Sequence, residues 1–331
     1  MQAILMTQTG PVEVLELHDL PEPRIEYPTQ IKVRLHAAGI NPIDTKIRRN
    51  GLLGPGPLPA ILGCDGAGEV IAVGGEVDRF RAGDRVWFCH GGLGGEPGNY
   101  AEVTMLDQRW AAPMPRTLDF AEAAAGPLVL ITAWGLLYDR GRLQAGQTVL
   151  IHAGTGGVGH VALQLAKLRG ARVLATVGSA ENAALARDWG ADEVINHREQ
   201  DFVTEVNRLT GGQGADLVAD LVGPEVFARS IGCTAHFGDL VTLLDPGHVP
   251  LAEARLRNLR IGFELMLTPQ LRGLDAARDH QVHILQQCAS WIDEGRLRLH
   301  VSQVMPLEQA AEAHRQLEAG HTVGKRVLVI G

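Results

Sequence analysis

Apolar and polar positions follow one period in the first third of this chain and another beyond it. Up to about residue 118 the period is two. Ile31, Val33, Leu35 and Ala37 alternate with their neighbours over residues 30–38. Short apolar runs at 2–6, 68–73, 85–88 and 100–105 are bounded by Gly, Pro or Asp, and such runs form strands. They predict an antiparallel, barrel-like β region. From residue 119 the spacing turns helical, and apolar runs at 149–151, 173–177, 193–195, 216–220 and 240–244 alternate with helical stretches. That alternation predicts an α/β domain with a parallel, doubly wound sheet. Beyond about residue 265 the pattern gives helices at 276–295 and 307–319 and a last strand at 326–330. These segments are expected to return to the β region, so the expected division is 1–118 with 266–331 against 119–265.

Residues 148–159, TVLIHAGTGGVG, carry the clearest chemistry. A short apolar strand runs into Gly154-Thr155-Gly156-Gly157-Val158-Gly159 and then into a helical stretch, with a second strand at 172–177 completing a βαβ unit. Glycines in that context let the backbone approach a pyrophosphate, whose charge rests on unpaired N–H groups at the helix start. Gly156, Gly157, Val158 and Gly159 are therefore the expected dinucleotide contacts. The second strand ends in Thr176-Val177-Gly178-Ser179, with no carboxylate before Glu181. An NAD site usually places an acid there. Its absence favours NADPH, with NADH still open: Thr176 and Gly178 line the turn, and Ser179 and Asn182 are candidate partners for a 2′-phosphate. No Lys or Arg stands at either place, so the phosphate would lack a strong charged partner. Leu221, Val222, Leu244 and Asp245 follow later strands at their C-terminal ends, where open α/β sheets bind ligands.

Composition narrows the field. The chain has 331 residues and a net charge of −8, which suits two full domains and argues against a nucleic-acid surface. No apolar run reaches membrane-spanning length, and the start lacks a signal peptide's basic head and apolar middle, so a cytoplasmic location is expected. Cys64, Cys89, Cys233 and Cys288 lie far apart and are expected to be reduced thiols. Glycine-rich stretches at 51–60 and 90–99 read as loops.

Beyond these patterns, the chain resembles the medium-chain dehydrogenase/reductase superfamily over nearly its whole length, and within it the zinc-independent quinone oxidoreductases. The residues that carry the likeness are Gly39-Ile40-Asn41-Pro42-Ile43-Asp44, Leu62-Gly63-Cys64-Asp65-Gly66-Ala67-Gly68 and Arg81-Ala82-Gly83-Asp84-Arg85-Val86. Gly98-Asn99-Tyr100-Ala101-Glu102, Thr132-Ala133-Trp134, the glycine motif, Gly190-Ala191-Asp192 and Gly324-Lys325 complete it. The resemblance implies a GroES-like β-barrel domain beside a Rossmann domain, an active site in the cleft between them, and a homodimer joined through Rossmann sheet edges. It also implies a small-molecule substrate, with no membrane or nucleic-acid partner. Zinc-dependent relatives use Cys, His and Cys where this chain has Asn41, Cys64 and a residue near Leu128. One thiol in three positions cannot form a catalytic zinc site, so no metal is expected.

Without a Lewis acid, the reaction left is hydride addition from NADPH to an electrophilic carbon of a quinone or an α,β-unsaturated carbonyl. A donor at the substrate oxygen lowers that barrier. Asn41 is the candidate, for that oxygen or for the nicotinamide ribose; its other reading is a turn-former before Pro42. Thr132 either reaches the cofactor or packs as a β-branched side chain. Lys325 either reaches the cleft or is solvated. Lys46 stands where many relatives carry Tyr, and it either meets substrate or points to water. Two other readings stay open: a nucleotide-binding protein with no catalytic role, and a zinc alcohol dehydrogenase, which the missing ligands disfavour.

Overall fold

A computed structural model describes all residues, Met1–Gly331. The backbone divides into two compact units, Met1–Leu128 with Leu267–Gly331, and Val129–Met266.

The second unit is built on six parallel strands in the order Glu193–Asn196, Arg172–Val177, Thr148–Ile151, Ala215–Asp220, Thr234–Thr242, Arg260–Phe263. Winding starts at Thr148–Ile151, runs outward to one edge, then restarts on its other side at Ala215–Asp220. The switch point of a doubly wound sheet lies between those two strands. Leu150, Leu174, Val218 and Leu240 of the sheet meet Phe202, Val206, Phe227 and Ile231 in one buried cluster. Each such side chain contributes about 1.5–3 kcal/mol of burial. The strand expected at 240–244 starts at Thr234 and ends at Thr242, so Leu244 and Asp245 lie in the turn beyond it.

The first unit holds a seven-stranded sheet. Its path runs Val301–Pro306, Lys325–Val329, Gln30–Gly39, Asp65–Val73, Arg85–Cys89, Ala112–Pro113, with Val103–Asp107 also pairing Gln30–Gly39. A small sheet, Leu15–Asp19, Gln2–Met6 and Ala60–Ile61, is tied to it by the Ala3–Ala101 bridge. The unit extends to Leu128 rather than ending near 118, because helix Phe120–Ala124 packs on Gln30–Gly39 and Asp65–Val73. The rings of His36 and Phe120 stack at 4.3 Å there. Two motif residues explain themselves locally. Asn99 Nδ2 donates to the carbonyls of Gly63, Cys64 and His90 at 2.8–3.1 Å. Gly63, at φ 95°, lies so near Tyr100 that a Cβ there would sit 2.5 Å from the ring. No helix is long and apolar enough to cross a membrane.

Candidate functional site

In the second unit, strand Thr148–Ile151 runs through His152 into a turn that opens helix Gly159–Leu168. Ala153 is left-handed, at φ 49°, which costs a non-glycine residue about 1–2 kcal/mol. Three bonds hold it: Ala153 N–H to Thr176 Oγ1 at 3.2 Å, Gly154 N–H to the Thr176 carbonyl at 3.0 Å, and Gly156 N–H to the Ala153 carbonyl at 2.9 Å. A Cβ at Gly159 would lie 2.2 Å from that Ala153 carbonyl oxygen, so the helix can begin there only without a side chain. No side chain caps the helix, and the N–H groups of Gly157, Val158 and Gly159 donate to no protein acceptor. Gly156, Gly157 and Val158 are half-buried. Together they form an anion-receiving helix start.

Leu221 and Val222 follow Ala215–Asp220 across the switch point from this turn, with Val222 exposed. Asp220 shapes their loop by accepting the N–H groups of Val222 and Gly223 at 3.0 and 3.1 Å. Leu244 N–H donates to Thr242 Oγ1 at 3.2 Å, and the exposed Asp245 accepts from Gly247 N–H at 2.9 Å. Asp245 thus makes an Asx turn of its own. Thr132 is buried on helix Pro127–Trp134.

Ser179 caps helix Ala180–Asp188 and accepts the Asn182 N–H at 3.2 Å. Its hydroxyl also bonds Glu181, whose carboxyl is held below its usual range first by its own backbone N–H and then by Ser179. In this structure the Ser179 hydroxyl is thus engaged by its own helix cap and by Glu181. A basic group that sequence reasoning did not offer comes from the neighbouring strand. Strand Glu193–Asn196 pairs with Arg172–Val177 so that Asn196 lies beside Val177, which carries His197 and Arg198 to Gly178. A Cβ at Gly178 would stand 3.3 Å from His197 Nε2 and 3.5 Å from Arg198 Nε. Both side chains are exposed, and Arg198 is bonded only through its backbone N–H, to Asn196 Oδ1 at 3.2 Å. The signal was legible: in a parallel sheet, the end of the adjacent strand shares the ligand side.

In the first unit, Asn41 lies at the N-cap of helix Pro42–Asn50, not in a plain loop. The sequence Asn-Pro-Ile-Asp places a capping Asn, a proline at the first helical position and an acid at the third. Asp44 Oδ2 accepts the Asn41 backbone N–H at 2.8 Å. The Asn41 side chain is oriented by two partners of fixed sense. Lys325 Nζ donates to its Oδ1 at 2.5 Å, and its Nδ2 donates to Asp65 Oδ2 at 2.9 Å. An ammonium only donates and a carboxylate accepts, so the amide cannot be reversed. Asp65 Oδ1 also accepts the Leu128 N–H at 2.8 Å.

Lys325 is buried rather than solvated. Its Nζ reaches the Ile40 carbonyl at 2.8 Å, Asn41 Oδ1, and Asp65 Oδ2 at 3.6 Å. Two of its protons are donated to protein acceptors and Asp65 is its ion-pair partner, so in this structure Lys325 orients the Asn41 amide. Burial pulls Lys325 down and Asp65 up, while each one's charge opposes the other's shift. Asp44 is pushed up to about 7, by burial first and then by the charge of Asp65, against hydrogen bonds from Asn41 and Tyr100. Tyr100 O–H donates to Asp44 at 3.0 Å and meets His314 Nε2 at 3.2 Å. Burial pushes His314 down to about 3, so it is neutral. The Cys64 thiol is driven well up by its hydrogen bond with Cys89, by burial and by Asp44. It is a protonated, packed group. Lys46 lies on the exposed side of helix Pro42–Asn50 and has no ion-pair partner.

A family model described as "Alcohol dehydrogenase GroES-like domain" matches residues 27–116, and one described as "Zinc-binding dehydrogenase" matches 189–328. The quinone oxidoreductase of Pseudomonas aeruginosa is 37% identical over 321 residues, 97% of each chain. A solved alcohol dehydrogenase superfamily protein from Novosphingobium aromaticivorans covers all of both chains at 35% identity and a TM-score of 0.92. The Escherichia coli quinone oxidoreductase, solved in complex with NADPH, matches at 33% identity and a TM-score of 0.88 over 99% of this chain and all of that one. Parallel sheet, glycine turn and β domain thus define a two-domain dehydrogenase or reductase. The chain belongs to the medium-chain dehydrogenase/reductase superfamily, among its quinone oxidoreductases.

The metal named in the second description does not fit the residues present. Asn41 is committed to Asp65 and Lys325, Cys64 is a protonated thiol, and the side chain of Leu128 has no donor atom. No three His, Cys, Asp or Glu side chains are disposed to hold an ion. A catalytic zinc needs three such ligands.

Proposed function

We propose that the protein is an NADPH-dependent, zinc-independent oxidoreductase that reduces quinones or α,β-unsaturated carbonyls. Bound NADPH supplies a hydride. The free amides of Gly157, Val158 and Gly159 hold its pyrophosphate, and Arg198, with His197, holds the 2′-phosphate beside Gly178. Asn41 Nδ2 carries two protons and Asp65 takes one. The other is offered to the substrate oxygen or the nicotinamide ribose, where negative charge or a hydroxyl is to be met. Lys325 and Asp65 keep that proton aimed.

The observation that carries the cofactor reading is the unpaired Arg198 beside Gly178. Fluorescence titration tests it. Wild type is expected to prefer NADPH over NADH at least tenfold, about 1.4 kcal/mol. Arg198→Ala is expected to lose most of that preference while NADH affinity stays level. Equal loss for both cofactors would overturn the assignment. Turnover of 9,10-phenanthrenequinone that is unchanged by a chelator distinguishes the enzyme from a nucleotide binder without catalysis.

A homodimer is the assembly this reading implies. Strand Arg260–Phe263 is the sheet's edge, and Phe263 and Leu265 beside it are more than half exposed, so the edge is open to a second copy. Four free thiols suit a reducing compartment such as the cytoplasm.

A further inference from the structure

His152 lies outside every role assigned so far. It is 2% exposed, at the end of Thr148–Ile151, with the Phe202 ring edge-on at 4.7 Å. Its two nitrogens meet Ser230 Oγ at 3.0 Å, through Nε2, and Thr176 Oγ1 at 3.1 Å, through Nδ1. The sense of each bond follows from its neighbours. Ser230 has one hydroxyl proton, which goes to the Val226 carbonyl at 2.7 Å, an atom that only accepts. Ser230 Oγ must then accept from His152, so the ring proton is on Nε2. Burial, with the charges of His197 and Arg229, pushes the imidazolium down to about 3, leaving Nδ1 bare at neutral pH. The Thr176 hydroxyl donates to it. A lone pair of Thr176 Oγ1 remains for the Ala153 N–H. The chain reads Ala153, Thr176, His152, Ser230, Val226, with every proton placed.

This line joins two loops that flank the switch point. Ala153 opens the glycine turn in its strained left-handed form, and Val226 belongs to helix Pro224–Ser230, directly after Leu221–Gly223. We infer that His152 is a positioning residue for dinucleotide binding: as the Nε2–H tautomer it holds Thr176 in the rotamer that pins Ala153, and through it the amides of the glycine turn. The inference rests on the nucleotide-binding reading. Its reach is the turn itself, since His152 is buried with both ring nitrogens bonded to protein.

Two measurements on the full-length protein decide it. Long-range proton–nitrogen correlation on histidine-labelled protein, assigned by difference from His152→Phe, is expected to show Nε2 protonated and Nδ1 bare. That state is expected to persist from about pH 5.5 to about pH 9, a range in which an ordinary histidine titrates. A proton on Nδ1, or titration in that range, overturns the proposal. Titration with NADPH is expected to give at least tenfold weaker binding for His152→Phe. Ser230→Ala, which removes one oxygen and frees the tautomer, serves if that variant fails to fold. A variant that melts lower yet binds NADPH as wild type does would make His152 merely structural and sink the idea. Should wild type itself not bind NADPH, the functional reading falls, while the ring-proton measurement still decides the tether.

Discussion

In the first unit the interior holds ionisable groups: Asp44, Asp65 and Lys325 are fully or almost fully buried together around Asn41. In the second unit the corresponding task falls to His152, Thr176 and Ser230, buried as deeply but without charge. Both networks fix a group of the proposed site, the Asn41 amide in one and the Ala153 turn in the other. They differ in what holds them. Ionic partners give Asn41 a fixed sense because neither can exchange donor for acceptor. The neutral chain gets its sense from a single terminal carbonyl, Val226, which propagates through Ser230 to the tautomer. Buried charge is strong against reversal and costly when one partner is lost. Neutral relays are cheaper to break but lose direction when any member is removed.

Lys325→Met should therefore have the largest effect. It leaves Asp65 and Asp44 facing each other without a cation, and breaking a buried pair in this way costs about 3–5 kcal/mol. Denaturant unfolding is expected to show that loss, and Lys325→Met with Asp65→Asn is expected to recover most of it. A single variant as stable as wild type would mean that Asp65 is already neutral.

Acidity separates the two networks by sign. Asp44 rises from its ordinary 3.8 to about 7. Between those values the unfolded chain has released the proton that the folded protein keeps, so the Asp44 contribution falls as pH rises through that window and is level above it. His152 falls from 6.5 to about 3. There the unfolded chain binds the proton that the folded protein refuses, so its contribution grows as pH rises from about 3 to about 6.5 and is then constant. Stability curves from pH 4 to 8 should show Asp44→Asn declining less steeply than wild type, and His152→Phe rising less or declining more. If both variants changed the slope in the same direction, one of the two protonation states would be misassigned.

How legible this was differs between the halves. The parallel sheet and its glycine turn could be read from strand–helix alternation, since both depend on local period and on residues adjacent in sequence. Arg198 gives no signal along its own strand and is legible only through sheet register, which brings Gly178, twenty residues earlier, beside it. The first-unit network was hidden for the same reason: Asn41 and Lys325 are 284 positions apart. The helix after Asn41 was in principle readable from its capping acid, yet Asn-Pro reads equally well as a turn. Strand Arg260–Phe263, with Gly262 inside it and only four residues long, carries too little alternation to announce itself.

The smallest expected effect concerns the other candidate lysine. Asp44, Thr45, Ile47 and Arg48 form the buried side of helix Pro42–Asn50, and Lys46 falls on the side open to solvent with no ion pair. Whereas the Lys325 ammonium is buried against Ile40, Asn41 and Asp65, that of Lys46 is open to solvent, and an exposed charge is screened within about 8–10 Å at physiological salt. Lys46→Met is thus expected to move stability by no more than about 0.5 kcal/mol and to leave kcat/KM for a quinone within about twofold. A tenfold fall, equivalent to about 1.4 kcal/mol of lost transition-state stabilisation, would have a definite meaning. It would show that helix Pro42–Asn50 presents Lys46 to the developing charge on the substrate oxygen, so that the first unit meets that charge from its surface as well as through the proposed Asn41 amide.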